Sequence, residues 1–449
     1  MPRCALRSGL RRGLLIAASL VFYAWGEPLF VLLMLASAAL NYLAARLVGG
    51  GGAGRKAILI ASVVFNVGML AVFKYSAFAV ASFNSVTGLS VPVPQIASPL
   101  GISFFTFQAL GYVIDVYRGK TEAESNFADV LLFISFFPQL LQGPIIRYDE
   151  MKNELKDPKL TAEGASEGLR LFIIGLGMKL VIANTLGRIT AFTFGLPQDS
   201  LNIVYAWAGA VCFLLQIYFD FAGYSQMAIG LGMMFGFTIP RNFNYPYIAK
   251  SMTEFWRRWH ITLSRWFRDY VYIPLGGNRR STLRTGVNKL IVFLLTGLWH
   301  GANWTFVVWG AYNGAFLLGE NYIKKTKFRL PKPTAWLYTI LAVTVGFVIF
   351  NSPDMSYALA MIKSMFAGFD IAPDTMARLS RLFGPITWVT LAAAVISATP
   401  LLSHIVSRLA LKRPGLAFAL RYGAALVLFV LCAAYIALGN YNPSIYTQF

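Results

Sequence analysis

Three histidines occur in this chain of 449 residues, and two of them stand where an imidazole is unusual. His260 lies in RNFNYPYIAKSMTEFWRRWHITLSRWFRDYVYIPLGGNRR, residues 241–280, a stretch too polar to span a membrane and too aromatic for an ordinary loop. His300 ends one apolar run in TGLWHGANW, residues 296–304, and another apolar run begins almost at once. An ionisable side chain at membrane depth is costly and by default marks function. Neutral imidazole can take the proton of a hydroxyl as its oxygen attacks a thioester carbonyl and the thiolate leaves. One buried histidine therefore suffices for acyl transfer. A metal site needs three or four ligands, and no third His, Cys or carboxylate stands at ligand spacing nearby; no metal is expected.

The surroundings leave two readings open for each histidine. At about 100° per residue, a helix over 253–270 places Phe255, Trp256, Trp259, Leu263, Trp266, Phe267 and Tyr270 on one face. Arg257, Arg258, Arg265 and Arg268 fall on the opposite side, and His260 lies beside the aromatic sector. That is the pattern of an interfacial helix, with rings in the acyl boundary and guanidinium groups among headgroups. A peripheral anchor with an incidental histidine accounts for it equally. Around His300, Gly297, Gly301 and Asn303 fit a tight helix–helix turn with room for a substrate. The competing reading is a structural histidine satisfied by backbone carbonyls. His404 lies in a basic stretch and reads as solvated.

These residues must be carried by membrane elements. Hydrophobic residues make up 57% of the chain and charged ones only 13%, and the mean hydropathy is +0.59. A soluble domain carries about 25% charged residues and could not hide this much apolar surface. A bilayer can, if the backbone satisfies itself in helices or a closed barrel. The runs lack strand alternation, so an all-α polytopic protein is expected, as one membrane domain over 1–449. Apolar runs fall near 13–25, 29–47, 57–83, 99–117, 127–142, 165–190, 202–219, 221–236, 286–300, 302–320, 335–350, 384–402 and 421–439. Several are shorter than the roughly 20 residues of a full span. These read as re-entrant or half-spanning pieces, which survive only when packed in protein or lining a cavity.

The formal net charge of +20 suits nucleic acid in a soluble protein, but no such motif occurs, and the basic residues sit between apolar runs. Segments 3–12, 46–56, 118–163, 236–289, 321–334 and 403–421 hold 32 Lys and Arg. Segments 26–28, 84–98, 191–201, 351–383 and 440–449 hold only Lys363, Arg378 and Arg381. The positive-inside rule places the first set in the cytoplasm and the second outside, with the C-terminus periplasmic. Cys4, Cys212 and Cys432 are too scattered for a disulfide framework or a metal. The first apolar run has no small-residue cleavage site and is expected to be retained.

Within this frame, the segment from Glu254 to Arg279, EFWRRWHITLSRWFRDYVYIPLGGNR, resembles the signature of the membrane-bound O-acyltransferases. The likeness is to the bacterial branch that contains the alginate O-acetylase and the D-alanyl transfer protein of teichoic acid synthesis. Other matching pieces keep the family's order: SLVFYAWGEP (19–28), LGISFFTFQALGYVIDVYRG (100–119), FFPQLLQGPIIRY (136–148), QIYFDFAGYSQMAIGLGMMFGF (216–237), LTGLWHGANWTFVVWG (295–310) and the aromatic tail from Asn442 to Phe449. The LGISFFTFQ and YIPLGGNR wording is nearer the alginate O-acetylase side.

The resemblance implies about ten to thirteen transmembrane or re-entrant helices around a tunnel, with interfacial helices at its cytoplasmic side. The family's invariant histidine matches His300, and its upstream active-site position matches His260. Trp299, Asn303, Trp259, Asp220 and Tyr224 are further candidates to line the substrate path, and Arg257 and Arg258 to hold the donor's phosphates. The implied function is transfer of an acetyl group across the bacterial inner membrane for O-acetylation of an exopolysaccharide such as alginate. The donor would be a cytoplasmic thioester such as acetyl-CoA, with no permanently bound cofactor, and a periplasmic acetyltransferase-type partner would serve the polymer. The alternative is a transporter or flippase for a lipid-linked or polar solute, which predicts an inverted repeat that the sequence does not display. Two departures stand out. Gln226 occupies a position that is usually Asp in the family. The family also usually has an apolar helix before SLVFYAW, where this chain has MPRCALRSGLRR, so a start site upstream of Met1 is expected.

Overall fold

The computed structural model describes residues 2–279, 281–324, 326 and 329–439. The aromatic tail Asn442–Phe449 and the expected outer segment 440–449 lie outside the described residues. Every regular element among the described residues is helical, as a long apolar chain in lipid requires. Among the described residues six helices can cross a membrane by length and composition: Phe30–Gly49, Arg55–Thr87, Ala162–Phe194, Ile203–Phe235, Lys332–Asn351 and Pro414–Ala437. Thr375–Leu382 and Pro385–Ser397, bent by 74° at their break, make a seventh if taken as one broken span. The all-α polytopic architecture is the one expected. The remaining described helices are shorter or less apolar.

Two expected boundaries differ. The runs 202–219 and 221–236 are one helix, Ile203–Phe235, because Asp220 at their junction is neutralised inside the protein by Lys179. The first helix begins at Pro2 and runs to Gly26, taking in the basic stretch that precedes the expected apolar run 13–25. Arg12 on it pairs with buried Asp129 at 2.7 Å.

The chain divides into two compact units. The first comprises Met1–Leu169 and Ala228–Pro240. Its core gathers Phe105, Tyr112, Phe133, Phe136, Tyr148 and Phe237. Asn41 and Asn66 exchange amide hydrogen bonds at 3.2 and 2.8 Å between two of its spans, the polar adhesion expected where lipid supplies no hydrophobic drive between helices. Glu124 accepts from the Tyr148 hydroxyl at 2.9 Å and pairs with Lys156 at 3.0 Å.

The second unit comprises Arg170–Met227 and Arg241–Phe449. Here Ala162–Phe194 and Ile203–Phe235 approach at Gly175 and Gly223. A Cβ on Gly175 would lie 2.5 Å from the Gly223 carbonyl oxygen, and one on Gly223 would lie 2.8 Å from that of Gly175. Just beyond this crossing the first helix widens into a π turn, Met178–Ala183, which carries Lys179 to Asp220. The helices Thr282–His300 and Trp304–Ile323 form a hairpin so close that a Cβ on Gly297 would strike the Phe306 carbonyl oxygen, and one on Gly310 that of Phe293. The unit's core is largely aromatic and includes Tyr218, Tyr247, Phe255, Trp256, Trp259, Trp309, Phe347 and Phe350. His404 is exposed on the helix Leu401–Lys412, within a stretch expected to be a loop.

Candidate active site

The segment 252–272 is not the single amphipathic helix that its periodicity predicts. It consists of Met252–Arg258, a break at Trp259 and His260, the helix Ile261–Phe267 and a π turn to Tyr272. His260 has φ 44° and ψ 53°, the left-handed region that costs a non-glycine residue about 1–2 kcal/mol. Such outliers cluster at functional sites. The aromatic face is also not directed at lipid. Phe255, Trp256, Trp259, Leu263, Trp266, Phe267 and Tyr270 are all buried within the protein. Of the arginines opposite, Arg257 and Arg268 are exposed, and Arg258 is held by Glu254 at 2.9 Å.

Three anchors fix this broken segment. Ser251 caps Met252–Arg258 by accepting from Glu254 N–H at 3.0 Å. Buried Glu320, on the second hairpin helix, accepts from Met252 N–H at 2.6 Å and Thr253 N–H at 2.9 Å. A carboxylate placed at a helix N-terminus satisfies donors that would otherwise lack partners. Trp256 donates its indole N–H to Asn313 at 3.2 Å on that same helix.

His300 is the last residue of Thr282–His300, buried, with Gly301 extended behind it. Asn303 caps the next helix by accepting from Thr305 N–H at 3.0 Å, and donates to the Pro353 carbonyl at 2.9 Å. The tight turn expected here is present, but the space at Gly297 and Gly301 is occupied by Phe306, whose ring and carbonyl a Cβ would meet.

Trp299 joins the two imidazoles. Its ring centroid lies 5.8 Å from that of His260 and 4.8 Å from that of His300, edge-on to both. The two histidines, 40 residues apart in sequence, thus touch one indole. Trp309 and Phe350 close around His300 at 5.1 and 5.2 Å, and Phe221 sits 4.6 Å from His260. His260 is fully buried. Burial disfavours its charged form and lowers its pKa, so the ring is neutral.

The other candidates are disposed around this pair. Trp259 is sunk in the aromatic core, 5.2 Å from Phe347. Asp220 is buried beside Phe221 and bound to Lys179. Tyr224 and Gln226 are half-buried further along the same helix. Sequence reasoning passed over Asn242, which holds His260, and Glu320. Asn242 lies in the polar aromatic stretch 241–280, but its partners in the fold, Thr262 and Ser225, carry no sequence signal. The string G-x-S-x-G does occur at residues 164–168. There it forms the first turns of the helix Ala162–Gly177, without the strand-to-helix turn that exposes such a serine as a nucleophile.

This is a polytopic helical membrane protein in which two buried imidazoles, each at a helix break, contact the same tryptophan. The chain belongs to the membrane-bound O-acyltransferase family, whose model matches residues 122–359, both histidines included. It is similar to the protein named probable alginate O-acetylase of Pseudomonas aeruginosa, at 42% identity over 80% of this chain and 70% of the relative. It is also similar to the peptidoglycan O-acetyltransferase of Helicobacter pylori, at 37% identity over 78% of this chain and 73% of the relative. The teichoic acid D-alanyltransferase of Bacillus subtilis is 31% identical over 57% of this chain and 67% of its own length. The protein is accordingly an acyltransferase, and the transporter alternative falls with the family membership.

Proposed function

We propose that the protein takes an acetyl group from a cytoplasmic thioester, acetyl-CoA in the first instance, and passes it through a tunnel across the bacterial inner membrane for O-acetylation of a polysaccharide. Alginate is the acceptor suggested by relatives named for it. A periplasmic acetyltransferase-type partner receives the group or completes its transfer to the polymer. His300 is the general base. Its imidazole takes the proton of the attacking hydroxyl as the oxygen bonds to the thioester carbonyl. The tetrahedral adduct then expels the thiolate, which recovers that proton from the imidazolium. His260 orients the donor or the acceptor beside it. Exposed Arg257 belongs to the basic stretch 236–289, whose field favours a phosphate-bearing donor on the cytoplasmic side.

The observation that carries this reading is the burial of His300 at a helix break against the same tryptophan that touches buried His260. The test is release of CoA by the purified protein in vesicles, with acetyl-CoA and polysaccharide oligomers supplied. His300→Ala should leave the protein inserted and folded and lower transfer by about 10²–10⁴-fold. Near-normal transfer by that variant removes the assignment.

A further inference from the structure

Asn242 grips the chain at the break, at His260 and the two residues that follow it. Its backbone carbonyl accepts from Ile261 N–H at 2.9 Å. Its side-chain oxygen accepts from Thr262 N–H at 3.1 Å and from the Thr262 hydroxyl at 3.0 Å. A main-chain N–H can only donate. The amide atom it faces must therefore be the oxygen, and hydrogen-bond chemistry fixes the orientation of the amide.

That same oxygen lies 3.2 Å from Nδ1 of His260. Two acceptors cannot share a hydrogen bond without a hydrogen, so Nδ1 carries it. In a neutral ring with a protonated Nδ1, Nε2 is a bare lone pair. Nε2 is buried and has no hydrogen-bond partner among the described residues. A buried acceptor left unmatched costs about 1–3 kcal/mol, in addition to the left-handed backbone at this residue. Asn242 itself is buried, and its Nδ2 reaches Ser225 Oγ at 3.5 Å.

We propose that Asn242 is a positioning residue that holds His260 as the Nδ1–H tautomer, so that Nε2 accepts a hydrogen bond from an O–H or N–H of the bound substrate. The proposal rests on the reading of this site as the acyl-transfer centre, and it narrows what His260 does there. A ring presenting a lone pair cannot donate to the oxyanion of a tetrahedral adduct. Its role is to receive a neutral donor, either the hydroxyl of the acceptor or an amide N–H of the thioester's arm. Oxyanion stabilisation falls to other groups.

The tautomer can be read without turnover. The chain has three histidines, so protein labelled with ¹⁵N in its imidazoles gives three ring pairs, and His260→Gln identifies which is His260. The expected wild-type spectrum has His260 with Nδ1 protonated and Nε2 bare. Asn242→Asp keeps an oxygen at the same place and should keep that tautomer. Asn242→Ala should release it to a mixture and lower CoA release by about 10–100-fold, the usual effect of removing an imidazole's orienting partner. A KM rise in Asn242→Ala confined to acetyl-CoA assigns the donor amide, and one confined to the acceptor assigns its hydroxyl. The proposal is overturned by a wild-type His260 protonated on Nε2. It is equally overturned if Asn242→Ala loses activity with the native tautomer intact, or keeps both native tautomer and native kinetics. Failure of the acyl-transfer reading would show separately, as unimpaired transfer by His300→Ala.

Discussion

The carboxylate of Glu320 receives the N–H of Met252 at 2.6 Å, so the hairpin that bears His300 at its turn also holds the helix that leads to His260. The same carboxylate takes the Thr253 N–H at 2.9 Å and faces the Tyr338 hydroxyl at 3.4 Å. Glu320→Gln turns one acceptor into an NH₂ group facing backbone donors. A buried donor left unmatched costs about 1–3 kcal/mol. Thermal unfolding in detergent should show a lower midpoint, accompanied by weaker acyl transfer. An unchanged midpoint would show that this clamp does not hold the segment.

The left-handed backbone at His260 separates two effects that substitution normally mixes. His260→Gly removes the imidazole and permits the conformation, whereas His260→Ala removes the imidazole and keeps the strain. Both should lose transfer to a similar degree. The glycine variant should be the more stable of the two by about 1 kcal/mol, read from their unfolding midpoints. Equal midpoints would mean that the break relaxes in the alanine variant.

At Gly297 and Gly310 an added methyl meets backbone rather than a movable side chain. Alanine at either position must therefore part the hairpin, at a cost of about 1–3 kcal/mol or more. His300 sits three residues beyond Gly297 on the same helix, so transfer should fall more steeply than expression. A variant with native activity would mean that the helices separate without moving the imidazole.

The charge distribution predicts sidedness. In a background with Cys4, Cys212 and Cys432 replaced by alanine, Ser90→Cys should react with an impermeant thiol reagent applied from outside. Ser281→Cys should react only after permeabilisation. The reverse pattern would invert the proposed path of the acyl group.

Glu124 gives a pH dependence. Burial pushes its carboxyl up, but hydrogen bonds from Lys156, Tyr148 and the backbone of Asn126 and Ser125 outweigh this and hold the pKa at about 2, below the usual 4.5. A depressed folded-state pKa contributes stability above the unfolded value and loses it as pH falls through the folded one. The wild-type midpoint should therefore drop between about pH 4.5 and 2, and Glu124→Gln should flatten that drop. Parallel curves would exclude Glu124 as a source of acid sensitivity.

The membrane class, the helical content and the two histidines were legible because each leaves a local trace: long apolar runs, and an imidazole where few ionisable groups survive. The aromatic stripe of 253–270 was equally visible, but periodicity does not say what covers it. Trp256 and Trp259 are buried against Trp309 and Phe347, residues whose approach depends on tertiary contacts. The break at His260 left no trace either, since no glycine or proline marks it and Asn242, 18 residues earlier, secures it. Arg12 fell outside the expected apolar run 13–25 because its partner Asp129, 117 residues away, leaves no local trace. Asp220 looked like the gap between two spans because Lys179, which neutralises it, lies on another helix.

The π turn at Met178–Ala183 bears on how this span tolerates a change of length. Side chains advance about 100° per residue in a regular helix, and a π turn accommodates one more residue than the helix around it needs. Deleting a single residue there would let Ala162–Phe194 close into a uniform coil. Because the surplus residue adds no net rotation to the helix on either side, Leu186 and Ile189 beyond it would keep the interior positions they now fill. A one-residue gap at this place between otherwise similar chains is thus absorbed without a change of helical phase, and what it alters is local: the turn that carries Lys179 to Asp220.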